Sequence, residues 1–309
     1  MSRPMRFACK DAGKGREQDA EASYLSTYSG LKKPVAAPTF LYIRGAIMEN
    51  IREAAVAGSF YPADPIELQS LLDTLLAAAG DGNPPPKAMI LPHAGYIYSG
   101  PVAASGYARL IGNADRISRV ILLGPTHRKA VRGLALPDAT AFSTPLGTIP
   151  LDTEALRQIR QLPQVSIDVA AHRSEHSLEV HLPFLQRTLK DFTLVPILVG
   201  DATASEVCEV IEQLWGGEET LLIVSSDLSH YHDYTTASRL DAATSKAIEA
   251  LALEDIDHHD ACGRTPVSGL LLYARQHGLG IKTIDLRNSG DTAGPRDQVV
   301  GYGAYVLSE

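Results

Sequence analysis

Nearly uninterrupted apolar runs alternate with helix-like segments from about residue 50 to the end of the chain. A strand that is apolar at almost every position must be buried on both faces, because successive side chains point to opposite sides of a sheet. Six strands are predicted in this way, at residues 87–93, 119–127, 193–200, 220–230, 281–286 and 299–307. The pattern therefore predicts a sheet that is covered on both sides.

The segments between these strands carry the apolar spacing of amphipathic helices. They are residues 65–80, 153–162, 177–189, 204–215, 235–255 and 265–278. Asp64 and Pro65 form an N-cap and a first-turn proline, and Gly80 and Gly278 stand where helix C-terminal glycines belong. Residues 135–152 are predicted to form a loop and a short hairpin. The sequence thus predicts one α/β domain of three layers, with helices on both sides of a mostly parallel central sheet.

The amino-terminal 47 residues are polar, contain scattered Gly, Pro and Ser, and show no sustained periodicity. This composition predicts a weakly ordered extension at residues 1–47, followed by the α/β domain at residues 48–309. Met48 precedes the first well-patterned segment, so translation could begin at Met1 or at Met48.

Charge, hydropathy and cysteine spacing exclude several classes of protein. The net charge of −8 argues against a nucleic-acid-binding protein, which usually carries a basic surface. No apolar run approaches the roughly 20 residues needed to span a membrane, and the amino terminus lacks the apolar stretch of a secretory signal. Cys9, Cys208 and Cys262 form no C-x-x-C pair. This pattern favours a reduced, cytoplasmic protein.

Three of the predicted strands run directly into a histidine. His93 follows the first strand in LPHAG, His127 follows the second in GPTH, and His230 follows the fourth in SSDLSH. Ligands of open α/β sheets bind at the carboxyl ends of strands, and neutral imidazole is a common metal ligand. A single histidine at a strand end is typical of a structural role. Three at one edge indicate a metal or catalytic site.

Two further segments carry candidate site residues. Cys262 lies just ahead of the helix at residues 265–278, where exposed amides favour a thiolate, although a small buried apolar role is the alternative. His176, Glu179 and His181 lie at the start of another predicted helix, after Glu175. They are predicted to support metal ligands through hydrogen bonds, and a solvated helix start is the alternative.

Motifs of other chemistries are missing from the sequence. SSDLSH contains Ser, Asp and His, but no G-x-S-x-G elbow occurs, so a hydrolase triad is not indicated. No G-x-G-x-x-G or G-x-x-x-x-G-K-[ST] motif follows a strand, so neither a dinucleotide site nor a P-loop is predicted.

Six motifs, in their order along the chain, resemble those of the Memo-like family, which is also described as AmmeMemoRadiSam system protein B. They are GSFYPADP, LPHAGYIYSG, GPTH, EHSLEVHLPFLQ, SSDLSH and CGRTP, and the resemblance runs from Ala55 to the carboxyl end. The resemblance implies a fold similar to class III extradiol ring-cleaving dioxygenases, which are non-heme iron enzymes. It also implies an iron or copper site on His93, His127 and Cys262. His230, with Asp227 beside it, matches the place of the acid/base histidine in the ring-cleaving relatives.

The sequence departs from those dioxygenases at one ligand, because they use a carboxylate where this chain offers a thiolate. A thiolate is softer and favours copper(I), zinc or iron–thiolate binding. The leading hypothesis is a metal-dependent oxidoreductase that acts on an unknown small molecule, with His230 moving protons and Asp227 orienting His230 or a water.

Two other hypotheses come from different functional classes. In the first, the pocket is a binding module for a peptide or a partner protein. The family name points to AMMECR1-like and radical-SAM partners. In the second, a bound zinc ion activates water for hydrolysis, with His230 as the base.

Overall fold

The computed structural model describes residues 50–80 and 85–308, so the predicted extension at residues 1–47 lies outside the described residues. The strands are β1 (Ile51–Arg52), β2 (Ala88–Leu91), β3 (Arg119–Pro125), β4 (Leu134–Leu136), β5 (Ala141–Thr144), β6 (Gly147–Pro150), β7 (Val165–Ile167), β8 (Thr193–Val199), β9 (Thr220–Ser225), β10 (His230–His232), β11 (Gly280–Asn288) and β12 (Val299–Ser308). The helices are α1 (Pro65–Ala79), α2 (Tyr96–Tyr107), α3 (Thr153–Ile159), α4 (Val169–Arg173), α5 (Leu182–Thr188), α6 (Ala204–Leu214), α7 (Tyr234–Glu249) and α8 (Arg264–His277). Each of the six predicted strands is present.

Nine of the described strands form one sheet with a parallel centre. β2 pairs with β9, β9 with β3, and β3 with β8, all in parallel. β12 joins β2 antiparallel on one side, and both β10 and β11 pair with β12. β4 joins β8 antiparallel on the other side and pairs in parallel with β7 at the edge. The central strands therefore end at the same edge of the sheet.

Both faces of this sheet are covered. Every residue of β2 and β9 is buried, and so is every residue of β3 and β8 except the first. Alternate residues point to opposite faces, so complete burial requires a layer on each side. The predicted three-layer α/β/α arrangement is confirmed. Within residues 50–80 and 85–308, no helix combines the length and apolar character needed to cross a bilayer.

α2 is an element that the sequence pattern did not predict. It begins three residues after His93, the first candidate ligand, and contains Pro101 and two glycines, which are poor helix formers. The small residues allow close packing: a Cβ at Gly106 would lie 2.5 Å from Leu91 Cδ2, and one at Gly100 would lie 2.9 Å from Leu75 Cδ1. Tertiary contact with the sheet and with α1 therefore outweighs the weak propensity.

The hairpin predicted at residues 135–152 is confirmed as β5 and β6, joined across Thr144 and Gly147. β5 also pairs in parallel with β1, which makes a separate three-stranded sheet. This pairing anchors the first described strand and carries Arg52 into the protein interior, where its side chain is 8% exposed.

Candidate metal centre

The candidate site lies at the carboxyl edge of the parallel strands. His93 follows the end of β2 by two residues, His127 follows β3 by two, and Asp227 follows β9 by two. Leu91 of β2 pairs with Ser225 of β9, so the segments that follow these two strands begin side by side. The edge predicted from strand-end residues is thus the place where the candidate groups meet.

Three imidazoles converge there. His93, His127 and His176 each offer a ring nitrogen, and these nitrogens lie within 4.8 Å of one another. The rings of His127 and His176 are stacked with centroids 4.7 Å apart, and that of His93 meets both edge-on at 5.1 and 5.5 Å. The His127 side chain is 20% exposed, whereas His93 is only 2% exposed, so the cluster opens to solvent on the His127 side.

Cys262 reaches the same cluster from a distant part of the sequence. Its Sγ lies 3.5 Å from His93 Nε2 and accepts the backbone N–H of Asp227 at 3.3 Å. The next residue permits this approach, because a Cβ at Gly263 would lie 2.5 Å from the backbone oxygen of Ser225.

The donor set fits a transition metal. An ion about 2.3 Å from a thiolate sulfur and about 2.0–2.1 Å from an imidazole nitrogen separates these atoms by roughly 3.5 Å in tetrahedral geometry. Cys262 Sγ and His93 Nε2 show this 3.5 Å separation. In two of the three imidazoles the Nδ1 atom has another partner: His93 Nδ1 lies 2.6 Å from Ser225 Oγ, and His127 Nδ1 lies 2.9 Å from Glu175 Oε1. In His93 and His127, Nε2 would therefore be the nitrogen that faces an ion, as in many metal sites.

Glu175 organises one side of the cluster, a role that the sequence pattern did not predict. Its carboxylate accepts Nδ1–H and the backbone N–H of His127, and also the backbone N–H groups of His176 at 3.0 Å and Ser177 at 3.1 Å. Burial alone would raise the pKa of this carboxyl, but its hydrogen bonds and the charge of His127 hold the pKa well below the ordinary value. The carboxylate is therefore ionised and fixes the His127 ring.

The environment determines which imidazoles are charged in the metal-free chain. Burial, reinforced by the charges of His127 and His176, lowers the pKa of His93 well below its ordinary value. Burial and the charge of His127 lower the pKa of His176 to about 3. Burial also lowers the pKa of His127, but hydrogen bonds to Cys262 and Glu175 outweigh it and raise the pKa well above its ordinary value. His127 is therefore the imidazole of the cluster that its surroundings favour in the charged form.

Comparison with known proteins places this site in a family. The sequence profile described as Memo-like protein matches residues 52–306, which include every residue of the cluster. The chain belongs to the Memo-like protein family. A MEMO1 family protein of Aquifex aeolicus is 36% identical over 265 residues, which cover 82% of this chain and 97% of the relative. A MEMO1 family protein of Sulfolobus acidocaldarius is 36% identical over 281 residues, which cover 82% of this chain and 97% of that relative.

Among solved structures, an uncharacterized protein of Escherichia coli K12 superposes on this Memo-like chain with a TM-score of 0.44 and 12% sequence identity. The superposition covers 71% of this chain and 98% of that protein.

The two residues predicted as catalytic lie beside the cluster of this Memo-like protein. Asp227 Oδ1 accepts the backbone N–H of His93 at 2.8 Å, and burial raises the pKa of Asp227 to about 7. His230 is half-buried at the start of β10, opposite Val300 of β12, and its charge contributes to lowering the pKa of His93.

The three residues predicted to support the ligands lie in three different places. His176 is in the cluster itself. His181 lies behind it, with Nε2 2.9 Å from Ser225 Oγ and Nδ1 2.8 Å from the Tyr107 hydroxyl. Glu179 accepts hydrogen bonds from the segment around β1, including the hydroxyl of Tyr61 at 2.6 Å. The serine and the two tyrosines were not among the predicted site residues. Ser225 and Tyr61 lie within the motifs SSDLSH and GSFYPADP, but no spacing rule connects them, or Tyr107, to the histidines.

Proposed function

We propose that this Memo-like protein binds one transition-metal ion between its three clustered histidines and Cys262, and acts as a metal-dependent oxidoreductase on a small molecule. The observation that supports this proposal most directly is the 3.5 Å separation between Cys262 Sγ and His93 Nε2, beside two further imidazoles. A single imidazole is enough to hydrogen-bond a thiol, so the further imidazoles beside Cys262 support a partner that all of these donors share. In a buried site, an ion supplies that common partner.

The donor types fit iron or copper, and zinc is the competing ion. Imidazole suits all three metals, and a thiolate adds softness that favours copper(I), zinc and iron–thiolate binding over hard cations. Bound iron or copper would supply one-electron chemistry that the side chains themselves lack.

The residues around the candidate centre have distinct roles in this proposal. His93 and His127 present Nε2 to the ion while their Nδ1 atoms are held by Ser225 and Glu175. Asp227 positions His93 by accepting the backbone N–H of His93. His230 accepts and returns a proton at its imidazole next to the centre. Phe60, whose ring lies 4.7 Å from that of His176, shields that side of the centre from water.

Metal content tests the proposal. The full chain, purified without oxygen, is expected to carry about one ion, and Cys262→Ser is expected to lose most of it because a hydroxyl is a poor ligand for soft metals. Cys208→Ser is the matched control, since this second cysteine is buried in α6 with Sγ 3.4 Å from Gln276 Oε1. Equal metal content in the two variants would rule the site out.

Electron paramagnetic resonance before and after reduction distinguishes a redox metal from zinc, and thus an oxidoreductase from a hydrolase. His230→Ala is expected to keep its ion, because His230 is proposed as a proton carrier and not as a ligand, whereas His93→Ala is expected to lose it. A His230→Ala protein that loses its ion as fully as His93→Ala would contradict these roles. Association with AMMECR1-like or radical-SAM proteins stays a prediction.

A further inference from the structure

A chain of hydrogen-bonded polar groups runs from the core of the domain to the candidate metal centre. The Tyr107 hydroxyl lies 2.8 Å from His181 Nδ1, His181 Nε2 lies 2.9 Å from Ser225 Oγ, and the same oxygen lies 2.6 Å from His93 Nδ1. All four side chains are at most 2% exposed. Their hydrogen bonds must therefore be satisfied by protein groups, because bulk water does not reach them.

The proton positions in this chain follow from counting donors. Ser225 Oγ has a third partner, the backbone oxygen of Ser177 at 2.7 Å. A carbonyl oxygen cannot donate, so the single hydroxyl proton of Ser225 goes to Ser177. Ser225 Oγ can then only accept from the two imidazoles. His93 Nδ1 and His181 Nε2 must therefore both carry a proton.

The far end of the chain agrees with this assignment. With a proton on Nε2, neutral His181 has a lone pair on Nδ1, which accepts the Tyr107 hydroxyl proton. Burial lowers the pKa of His181 to about 3 and raises the pKa of Tyr107 well above its ordinary value. Both groups are neutral around pH 7, so one set of donors and acceptors holds there.

The consequence appears at the metal centre. A neutral His93 with its proton on Nδ1 has its lone pair on Nε2, the atom that lies 3.5 Å from Cys262 Sγ. We propose that Tyr107, His181 and Ser225 are positioning residues that hold His93 in the Nδ1–H tautomer, with its ligating nitrogen directed at the centre. For the ion itself, this inference rests on the proposed function.

Gly124 packs against Ser225 and Ser177, and its lack of a side chain leaves space for this arrangement. A Cβ at Gly124 would lie 3.2 Å from Ser225 Cβ and 3.0 Å from Ser177 Oγ. A larger residue would therefore push the serine that connects the two imidazoles.

Nuclear magnetic resonance of ¹⁵N-histidine in the metal-free full chain tests the tautomer directly. Wild-type His93 is expected to carry its proton on Nδ1, and Ser225→Ala is expected to give a mixture of tautomers because the acceptor is gone. A wild-type His93 with its proton on Nε2 would overturn the inference. So would an unchanged tautomer in Ser225→Ala. This measurement needs no bound metal.

Affinity for Co²⁺, measured against a competing chelator, tests the effect on the centre. Hydrogen-bond partners of metal ligands typically change affinity by roughly 10–100-fold. Ser225→Ala is expected to weaken Co²⁺ binding within that range and to shift the visible absorption bands. Tyr107→Phe, which removes a single oxygen, is expected to weaken binding in the same direction.

Ser245→Ala is the matched control, because this buried serine hydroxyl bonds to the Tyr305 hydroxyl at 2.7 Å in another part of the core. It is expected to lose stability without losing Co²⁺ affinity. If Ser225→Ala and Tyr107→Phe bind Co²⁺ as tightly as Ser245→Ala, the positioning role is wrong. If the wild-type chain binds no Co²⁺, the proposed function fails instead, and the tautomer of His93 still decides the inference.

Discussion

Arg52 makes a buried ion pair with Glu179, and its replacement gives a quantitative prediction. Its guanidinium pairs with Glu179, and the two side chains are 8% and 0% exposed. It also donates to the backbone oxygen of His172 at 3.0 Å and to that of Glu175 at 2.6 Å. Arg52 therefore connects β1 to the loop that carries Glu175 and His176.

Arg52→Met removes the charge while keeping most of the aliphatic volume. The Glu179 carboxylate is then left buried with three remaining donors, the backbone N–H groups of Ala55 and Val56 and the hydroxyl of Tyr61. Breaking a buried pair by removing one partner typically costs about 3–5 kcal/mol, because an uncompensated charge remains. At about 2–4 °C per kcal/mol, the melting temperature is expected to fall by roughly 6–20 °C.

Urea unfolding, followed by circular dichroism, measures this loss as a change in midpoint at constant slope. Arg157→Met is the matched control, because its ion pair with Glu154 is on the surface, with side chains 69% and 72% exposed. The control is expected to leave the unfolding midpoint nearly unchanged. If the two variants lose the same free energy of unfolding, the buried pair does not have the role that its geometry indicates.

Three further predictions concern packing, pH and metal. Gly124→Ala places a Cβ 2.8 Å from Leu178 Cδ2 and is expected to cost about 1–3 kcal/mol in urea unfolding, whereas Gly280→Ala meets nothing within 4 Å; equal losses would contradict this. Burial raises the pKa of Asp241 to about 6, so the folded chain binds this proton more tightly than the unfolded chain, and the associated stability is lost as the pH rises through 6. As the pH rises from about 4 to about 7.5, the free energy of unfolding of Asp241→Asn is therefore expected to increase by about 3 kcal/mol relative to that of wild type. A difference between the two proteins that does not change with pH would refute this prediction. Adding a metal ion to the metal-free chain is expected to raise its melting temperature. At a free ion concentration of 100 times Kd, the free energy of unfolding should increase by about 2.7 kcal/mol, and a chelator should reverse the rise.

Local patterns in the sequence were sufficient to predict the layers and the edge of the sheet where the candidate site lies. Runs such as residues 119–127 and 193–200 are apolar at nearly every position, which is a direct consequence of burial on both faces. A histidine directly after a strand is likewise visible in one dimension, and this pattern predicted His93 and His127 as neighbours. The partnership of Cys262 came from the resemblance to the Memo-like family, because no spacing rule connects it to those histidines.

The tertiary structure alone decided the remaining features, because they depend on distances between residues that are far apart in the sequence. His176 was predicted to support the metal ligands through a hydrogen bond, whereas in the structure its ring is part of the histidine cluster. Ser225 belongs to the motif SSDLSH, but only the folded structure shows that its hydroxyl oxygen has three hydrogen-bond partners. The sequence by itself determines that imidazoles gather at one sheet edge, because a histidine follows each of several strands that end there. Which nitrogen faces the centre is settled by a count of protons among buried groups, and that count exists only once the chain is folded.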